Sequence, residues 1–321
     1  VERGIPCLTS LDTAAALAGS LKSRYRPYNM ELVDMNKLSQ TSAARRFVKM
    51  QGCGNDYIYF DCFDQPLENP EALSVQLSAE HFGIGGDGII LVEPSQVADG
   101  KMRISNRDGS EGKMCGNGIR CVGRYLYDSG RVRKTQMRIE TKSGIKQLQL
   151  EVFNGQVMSV TVDMGAAVLA PEQIPVSLSG SSVISRRVMV GGKEQEITCV
   201  SMGNPHCVIF RNDVEEMDLA AEGRKVEDDP LFPERVNTEY VQVIDAHTLR
   251  MRVWERGSGE TWACGTGACA AAVAAVLNGF CPKNEEITVR LTGGDLRIRY
   301  TDETVYMTGD AVTVFTGEVM I

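Results

Sequence analysis

Met102-Arg103-Ile104-Ser105-Asn106-Arg107-Asp108-Gly109-Ser110-Glu111-Gly112-Lys113-Met114-Cys115-Gly116-Asn117-Gly118 has a second copy, Met251-Arg252-Val253-Trp254-Glu255-Arg256-Gly257-Ser258-Gly259-Glu260-Thr261-Trp262-Ala263-Cys264-Gly265-Thr266-Gly267. The two stretches lie 149 positions apart and need no gap. Seven of the seventeen positions are identical, where chance gives about one, and self-similarity at a fixed offset signals a repeated structural unit. The same shift lays Gly54-Asn55 on Gly203-Asn204. The chain therefore reads as a duplicated lobe, and two matched lobes imply a ligand site between them.

Around the repeat, strand patterns dominate. Met158, Val160, Val162 and Met164 alternate with Ser159, Thr161 and Asp163, which predicts a half-buried strand with the apolar set inward. Ile287-Val289-Leu291, Leu296-Ile298-Tyr300 and Val305-Met307 are separated by Gly293-Gly294 and Thr301-Asp302, the spacing of an antiparallel meander. After each repeated cysteine comes a helical run, Ile119 to Tyr127 and Ala268 to Leu277, the second stopped by Asn278-Gly279. That second run is apolar on every face, so it has to be buried all round. The expected fold class is α+β: two pseudo-symmetric lobes, each a mostly antiparallel sheet wrapped around a central buried helix.

Composition narrows the function. At 321 residues the chain is long for one core. The net charge of -8 and a pI near 5.1 argue against a nucleic-acid partner and favour a small-molecule substrate. No apolar run approaches the roughly 20 residues that cross a bilayer, which argues against a membrane partner. Ten cysteines in a chain of this length, with neither a signal h-region nor a transit peptide in the first 45 residues, read as mainly reduced thiols in the cytoplasm. No C-x-x-C pair suggests structural zinc.

Cys115 and Cys264 both stand at the start of a glycine-rich turn that leads into a buried helix. A helix N-terminus carries roughly half a positive charge, and such a position can lower a thiol pKa from about 8.5 toward neutrality. The turn glycines let backbone N–H groups approach a carboxylate. A carboxylate held there stabilises the charge that develops when the neighbouring α-proton leaves. Two facing cysteines can then invert the centre, one taking the proton and the other delivering one to the opposite face. An isolated cysteine in either place would read as a small core residue; the duplication decides otherwise.

Six segments carry a family resemblance: Phe47-Val48-Lys49-Met50-Gln51-Gly52-Cys53-Gly54-Asn55-Asp56, Asn106-Arg107-Asp108-Gly109-Ser110-Glu111, Met114-Cys115-Gly116-Asn117-Gly118, Met202-Gly203-Asn204-Pro205-His206-Cys207, Glu255-Arg256-Gly257 and Ala263-Cys264-Gly265-Thr266-Gly267. From about residue 46 to the C-terminus the chain resembles diaminopimelate epimerase. The resemblance implies PLP-independent epimerisation of L,L- to meso-diaminopimelate in lysine and cell-wall precursor synthesis, with no cofactor and no metal. It makes Cys115 and Cys264 the catalytic pair, and His206 and Glu255 the groups that orient the thiols. Asn55, Asn106, Asn204, Asn237, Glu255 and Arg256 become substrate contacts, with Gly116-Asn117 and Gly265-Thr266 as carboxylate cradles. It also leaves room for a homodimer.

Arg256 and Glu255 suit a substrate with a second amino-acid end, one gripping its carboxylate in two places and the other facing its ammonium. Some family members have glutamine near Gly88, so a side-chain contact there does not carry over. Proline racemase and hydroxyproline epimerase resemble the same family and are the alternative. They usually have histidine after the first Cys-Gly, where this chain has Asn117. A binding module without chemistry would not need a thiol at both repeat positions. His81 and His247 match no motif.

The expected organisation is an appendage over 1–45, a first lobe over 46–162 completed by 311–321, and a second lobe over 163–310. Within the appendage, Gly4 to Ala14 reads as a strand end followed by a helix capped by Ser10, and weakly resembles the C-terminal tail of the carbamoyl-phosphate synthase large subunit.

Overall fold

The computed structural model of the chain describes residues 44–321, so the strand and helix expected between Gly4 and Ala14 lie outside the described residues. The first half runs β1 (Ala44–Gly52), β2 (Asn55–Asp61), α1 (Pro70–Ser78), β3 (Gly88–Glu93), β4 (Gly100–Asn106), β5 (Glu111–Gly112), α2 (Gly116–Asp128), β6 (Gln136–Thr141), β7 (Gly144–Phe153) and β8 (Gln156–Gly165). The second runs β9 (Arg186–Val190), β10 (Lys193–Ser201), β11 (Pro205–Phe210), α3 (Leu219–Glu227), β12 (Asn237–Asp245), β13 (Thr248–Glu255), β14 (Gly259–Thr261), α4 (Gly265–Leu277), β15 (Glu286–Leu291), β16 (Gly294–Tyr300) and β17 (Val305–Gly309), followed by β18 (Val312–Met320).

The 149-residue offset extends far beyond the stretch that revealed it. β1 and β10, α1 and α3, and α2 and α4 have bounds that differ by that same offset at both ends. Each half repeats one pairing scheme: β2 lies parallel to β3 as β11 does to β12, and β4 parallel to β6 as β13 does to β15. The hairpins β3–β4, β6–β7, β12–β13 and β15–β16 are antiparallel. β8 pairs antiparallel with β17, which joins the two half-sheets edge to edge. β18 returns to the first half and pairs with β1, where Phe315 meets Phe47 ring edge to face at 5.8 Å.

Each half-sheet curls around its helix. α4 is buried at every position from Gly267 to Ala275, as its continuous apolar run requires. Small side chains let the strands close on it, and Val273 alone contributes about 1.5–3 kcal/mol of burial. α2 buries Ile119, Cys121, Val122 and Leu126 against its own strands, and Arg120 is enclosed as well. α4 stops where Asn278-Gly279 marks it, and Gly130 ends α2 in the same way: Gly130 and Gly279 both sit at positive φ just past the C-terminal ends.

One expectation of register fails. Val160, Val162 and Met164 are buried, but Met158 is 55% exposed while Ser159 and Val157 turn inward. β7 and β8 slip register here, Glu151 facing Ser159 and Val152 facing Val157, so Met158 is an extra residue in the ladder. A bulge of this kind sends every side chain beyond it to the opposite face. The meander over β15, β16 and β17 matches expectation, with Ile287, Val289, Leu296, Ile298, Val305 and Met307 fully buried. No helix of the described residues is long and apolar enough to cross a membrane.

Candidate active site

The two cysteines that open the repeat motif cap their helices in the same way. Cys115 and Cys264 are the N-cap residues of α2 and α4, each in extended backbone. Gly118 N–H donates to Cys115 Sγ at 3.3 Å, and Gly267 N–H donates to Cys264 Sγ at 3.3 Å. A thiol thus stands where serine, threonine or aspartate usually satisfies the orphan N–H groups of a first turn. The two helix starts converge: a Cβ at Gly116 would come within 2.7 Å of Met307 Cε, and one at Gly265 within 3.0 Å of Met307 Sδ. Both described thiols are free, Cys115 half-buried and Cys264 buried.

The side chains that touch the Cys115 thiol are neutral. Its thiol donates to Asn55 Oδ1 at 3.2 Å, and Asn55 Nδ2 donates to Asp87 Oδ2 at 2.6 Å. The Tyr57 hydroxyl also faces this sulfur. Asn106, at the end of β4, donates to Ser110 Oγ at 3.0 Å. Asn117 is buried, and its Oδ1 accepts from Arg120 Nη1 at 2.9 Å. Its Nδ2 and its backbone N–H remain for a ligand. Arg120 also donates to the carbonyls of Asp310 and Gly116, tying the α2 start to the connection between β17 and β18.

Around Cys264 the groups are ionisable. Glu255, at the end of β13, accepts from Thr261 Oγ1 and lies beside the Cys264 thiol. Thr266 Oγ1 is 3.5 Å from Cys264 Sγ and accepts from Asn204 Nδ2 at 3.3 Å. Asn204 Oδ1 is 3.0 Å from His206 Nε2, and His206 Nδ1 is 2.7 Å from Glu239 Oε1. Asn237 is a clamp: Nδ2 donates to the Pro205 carbonyl at 3.1 Å, and Oδ1 accepts from Arg256 N–H at 2.8 Å. Arg256 itself donates from Nη1 to the Glu234 carbonyl at 2.8 Å, leaving its other N–H groups for a ligand.

The expectation of acidic thiols is corrected by burial. Loss of water raises the Cys115 pKa above the usual thiol value, and the N–H groups of Gly118 and Asn117 offset this only in part. Burial pushes Cys264 much higher, and the carboxylates of Glu255 and Glu239 add to the rise. Burial likewise raises Glu255, against the bond from Thr261. Desolvation disfavours any charged form, and here it outweighs the helix ends. Both thiols therefore favour the protonated form.

Every residue expected at the site lies on one of the two helix starts or on a strand end beside them, though Asn237 spends its side chain, and Asn117 its Oδ1, within the protein. Tyr57, Asp87, Arg120 and Glu239 are additional. The 149-residue shift would have found two of them, since it lays Tyr57 on His206 and Ile90 on Glu239. At Gly88, with φ at +149°, a Cβ would collide with the Ser105 carbonyl. Glutamine does not fit on this backbone. His81 and His247 are on the surface, His247 facing Glu285. No cluster of three or more His, Cys, Asp or Glu able to hold a metal occurs among the described residues.

The family model described as diaminopimelate epimerase matches residues 47–170 and 198–314. The chain belongs to the diaminopimelate epimerase family. It is 53% identical over 276 residues to the diaminopimelate epimerase of Acetivibrio thermocellus, covering 85% of this chain and 98% of the relative. The diaminopimelate epimerase of Desulfovibrio desulfuricans is 50% identical over 288 residues, covering 87% and 100%. Among solved structures, a Bacillus anthracis PhzF-family protein superposes with a TM-score of 0.63 at 17% identity, covering 87% of this chain and all of the other. A hydroxyproline epimerase from Agrobacterium vitis gives 0.62 at 14% identity, covering 86% and 91%. At such identities the likeness is one of fold. The epimerase family match begins after the first 46 residues, and the likeness of residues 1–45 to a carbamoyl-phosphate synthase tail is not borne out.

Proposed function

We propose that the chain interconverts L,L- and meso-diaminopimelate without a cofactor, with Cys115 and Cys264 as the two proton-transfer groups. The observation that carries this reading is the matched capping of α2 and α4 by the two thiols, with both helix starts meeting at Met307. A substrate carboxylate placed over those starts is held by the N–H groups of Gly116, Asn117, Gly265 and Thr266, and positive helix ends stabilise the charge spreading onto it as the α-proton leaves. One sulfur removes the proton and the other returns one on the opposite face.

Because both thiols rest protonated, the base is generated in the loaded cleft. Glu255, beside Cys264, is placed to accept that proton, and its own raised pKa makes it a competent carrier. Arg256 grips the distal carboxylate, and Asn55, Asn106 and Asn204 supply donors and acceptors to the rest. The catalytic lobes are 46–162 with 311–321, and 163–310; the return of β18 to β1 supports this division. A site built on two free thiols fits a reducing, cytoplasmic setting.

The proline-type alternative needs no grip on a remote zwitterion, and the half-buried Glu255-Arg256 pair at the cleft counts against it. The test is proton exchange: L,L-diaminopimelate incubated in deuterated water should yield the meso isomer with α-deuterium. Cys115→Ala and Cys264→Ala should each lose about 10²- to 10⁴-fold of that activity. Product without deuterium, or either variant at full turnover, refutes the reading.

A further inference from the structure

Under each helix start a side chain fills the same space. A Cβ at Gly118 would meet Ile90 Cδ1 at 2.7 Å, and a Cβ at Gly267 would meet Glu239 Oε1 at 2.7 Å. Ile90 and Glu239 are repeat counterparts on β3 and β12, and both are fully buried. An apolar residue therefore suffices for packing here, and one half of the molecule uses one. The other half buries a carboxylate, at a cost unless it is partnered. Glu239 has one partner, His206 Nδ1, while its Oε2 has no hydrogen-bond partner among the described residues.

The partner departs from symmetry in the same direction. His206 stands where the first half has Tyr57, and its side chain is fully enclosed. A carboxylate only accepts, so the bond to Glu239 places a hydrogen on Nδ1. Nε2 then faces Asn204, and through Asn204 and Thr266 the chain of contacts ends at Cys264. The groups facing Cys264 are Glu255 from β13, Glu239 from β12 and Thr266 from α4. Those facing Glu239 are His206 and Cys207 from β11, Glu255 from β13, and Cys264 with the first turn of α4.

We propose that Glu239 is a positioning residue for the epimerisation: its carboxylate fixes the His206 ring through Nδ1 and sets beneath Cys264 a negative charge that has no counterpart beneath Cys115. This rests on the functional reading above. The carboxylate acts through His206 and through its field, and touches no substrate. In the first half Ile90 and Tyr57 supply neither effect, so the two thiols enter the reaction unequal although their caps are alike.

The experiment uses the whole protein and three readouts. In the parent, proton NMR with ¹⁵N-labelled histidine should show a solvent-protected imidazole N–H far downfield from His206, the one fully buried histidine. In Glu239→Gln that resonance should move upfield. Cys264 alkylation by iodoacetamide should shift to lower pH, while the Cys115 profile stays in place. kcat should fall about tenfold or more with KM within about threefold, and Glu239→Asp, which keeps the charge, should recover part of it.

An exposed, exchanging His206 N–H in the parent overturns the inference without any variant. So does a folded Glu239→Gln protein whose Cys264 profile and kcat match the parent. If the parent does not invert diaminopimelate, the functional reading fails, and the NMR and alkylation arms still decide the role of Glu239.

Discussion

Cys115 donates directly to Asn55 Oδ1 at 3.2 Å, whereas Cys264 reaches the repeat counterpart Asn204 only by way of Thr266. The two caps are alike and their surroundings are not, and that inequality should be measurable.

Burial raises both thiols, and raises Cys264 further, where the carboxylates of Glu255 and Glu239 add to it. A raised thiol pKa leaves less thiolate at a given pH, so alkylation should be slow at neutral pH and accelerate as pH climbs past 9, the ordinary thiol value. Cys115, which is half-buried, should react first. Mass mapping of iodoacetamide adducts against pH checks this, and Cys264 labelling first at neutral pH would contradict it.

Arg256→Lys should leave the fold intact and lower kcat/KM on diaminopimelate by about 10²-fold, since lysine keeps the charge but loses the planar fork. The Arg256 backbone is held by Asn237 regardless of its side chain, so circular dichroism and melting should match the parent. Unaltered kinetics would move the distal grip elsewhere.

Asn237→Ala should cost both stability and binding. It strips the Pro205 carbonyl and the Arg256 N–H of a buried partner, a loss of about 1–3 kcal/mol for each group left unpaired. Denaturant unfolding should show that loss, and KM should rise because Arg256 is no longer clamped. Unchanged stability with a raised KM would mean that Asn237 touches the substrate directly.

Glu255→Gln should trade activity for stability. Burial raises the folded Glu255 pKa above its unfolded value of 4.5, so the folded chain holds this proton more tightly. The resulting stability is fully present below pH 4.5 and lost as pH rises through the folded pKa. Near neutral pH the ionised side chain is therefore a liability, which glutamine removes. The melting midpoint at pH 7 should rise, the difference from the parent should vanish in acid, and turnover should drop about 10²-fold or more. A lower midpoint at pH 7 would refute the sign.

Much of this was legible in the sequence because a duplication prints its geometry twice. Seventeen residues were enough to place Cys115 and Cys264 on equivalent helix starts, and the all-apolar run after Cys264 had only a buried solution. Three-dimensional context decided the rest. Met158 fits a strand pattern perfectly, but it is itself the extra residue of a bulge in β8 and turns outward. Arg120 and Asn117 look like a charge and a ligand contact, and only packing revealed that each serves the other. Thiol acidity departs from the sequence expectation for a related reason: a helix end is local and visible in sequence, whereas burial and the carboxylate of Glu239, 25 positions before Cys264, are set by the fold.

The pairing of β8 with β17 has a consequence for any attempt to divide the molecule. It is a join between bare edges, with Val162 opposite Met307 and Thr161 bonded to Thr308. A half-length chain ending there would carry an open row of N–H and C=O groups beside a fully apolar inner face, a template for another strand. Two such chains would tend to zip together at that edge, like with like, and both thiol-bearing helix starts would come together only in the joined pair.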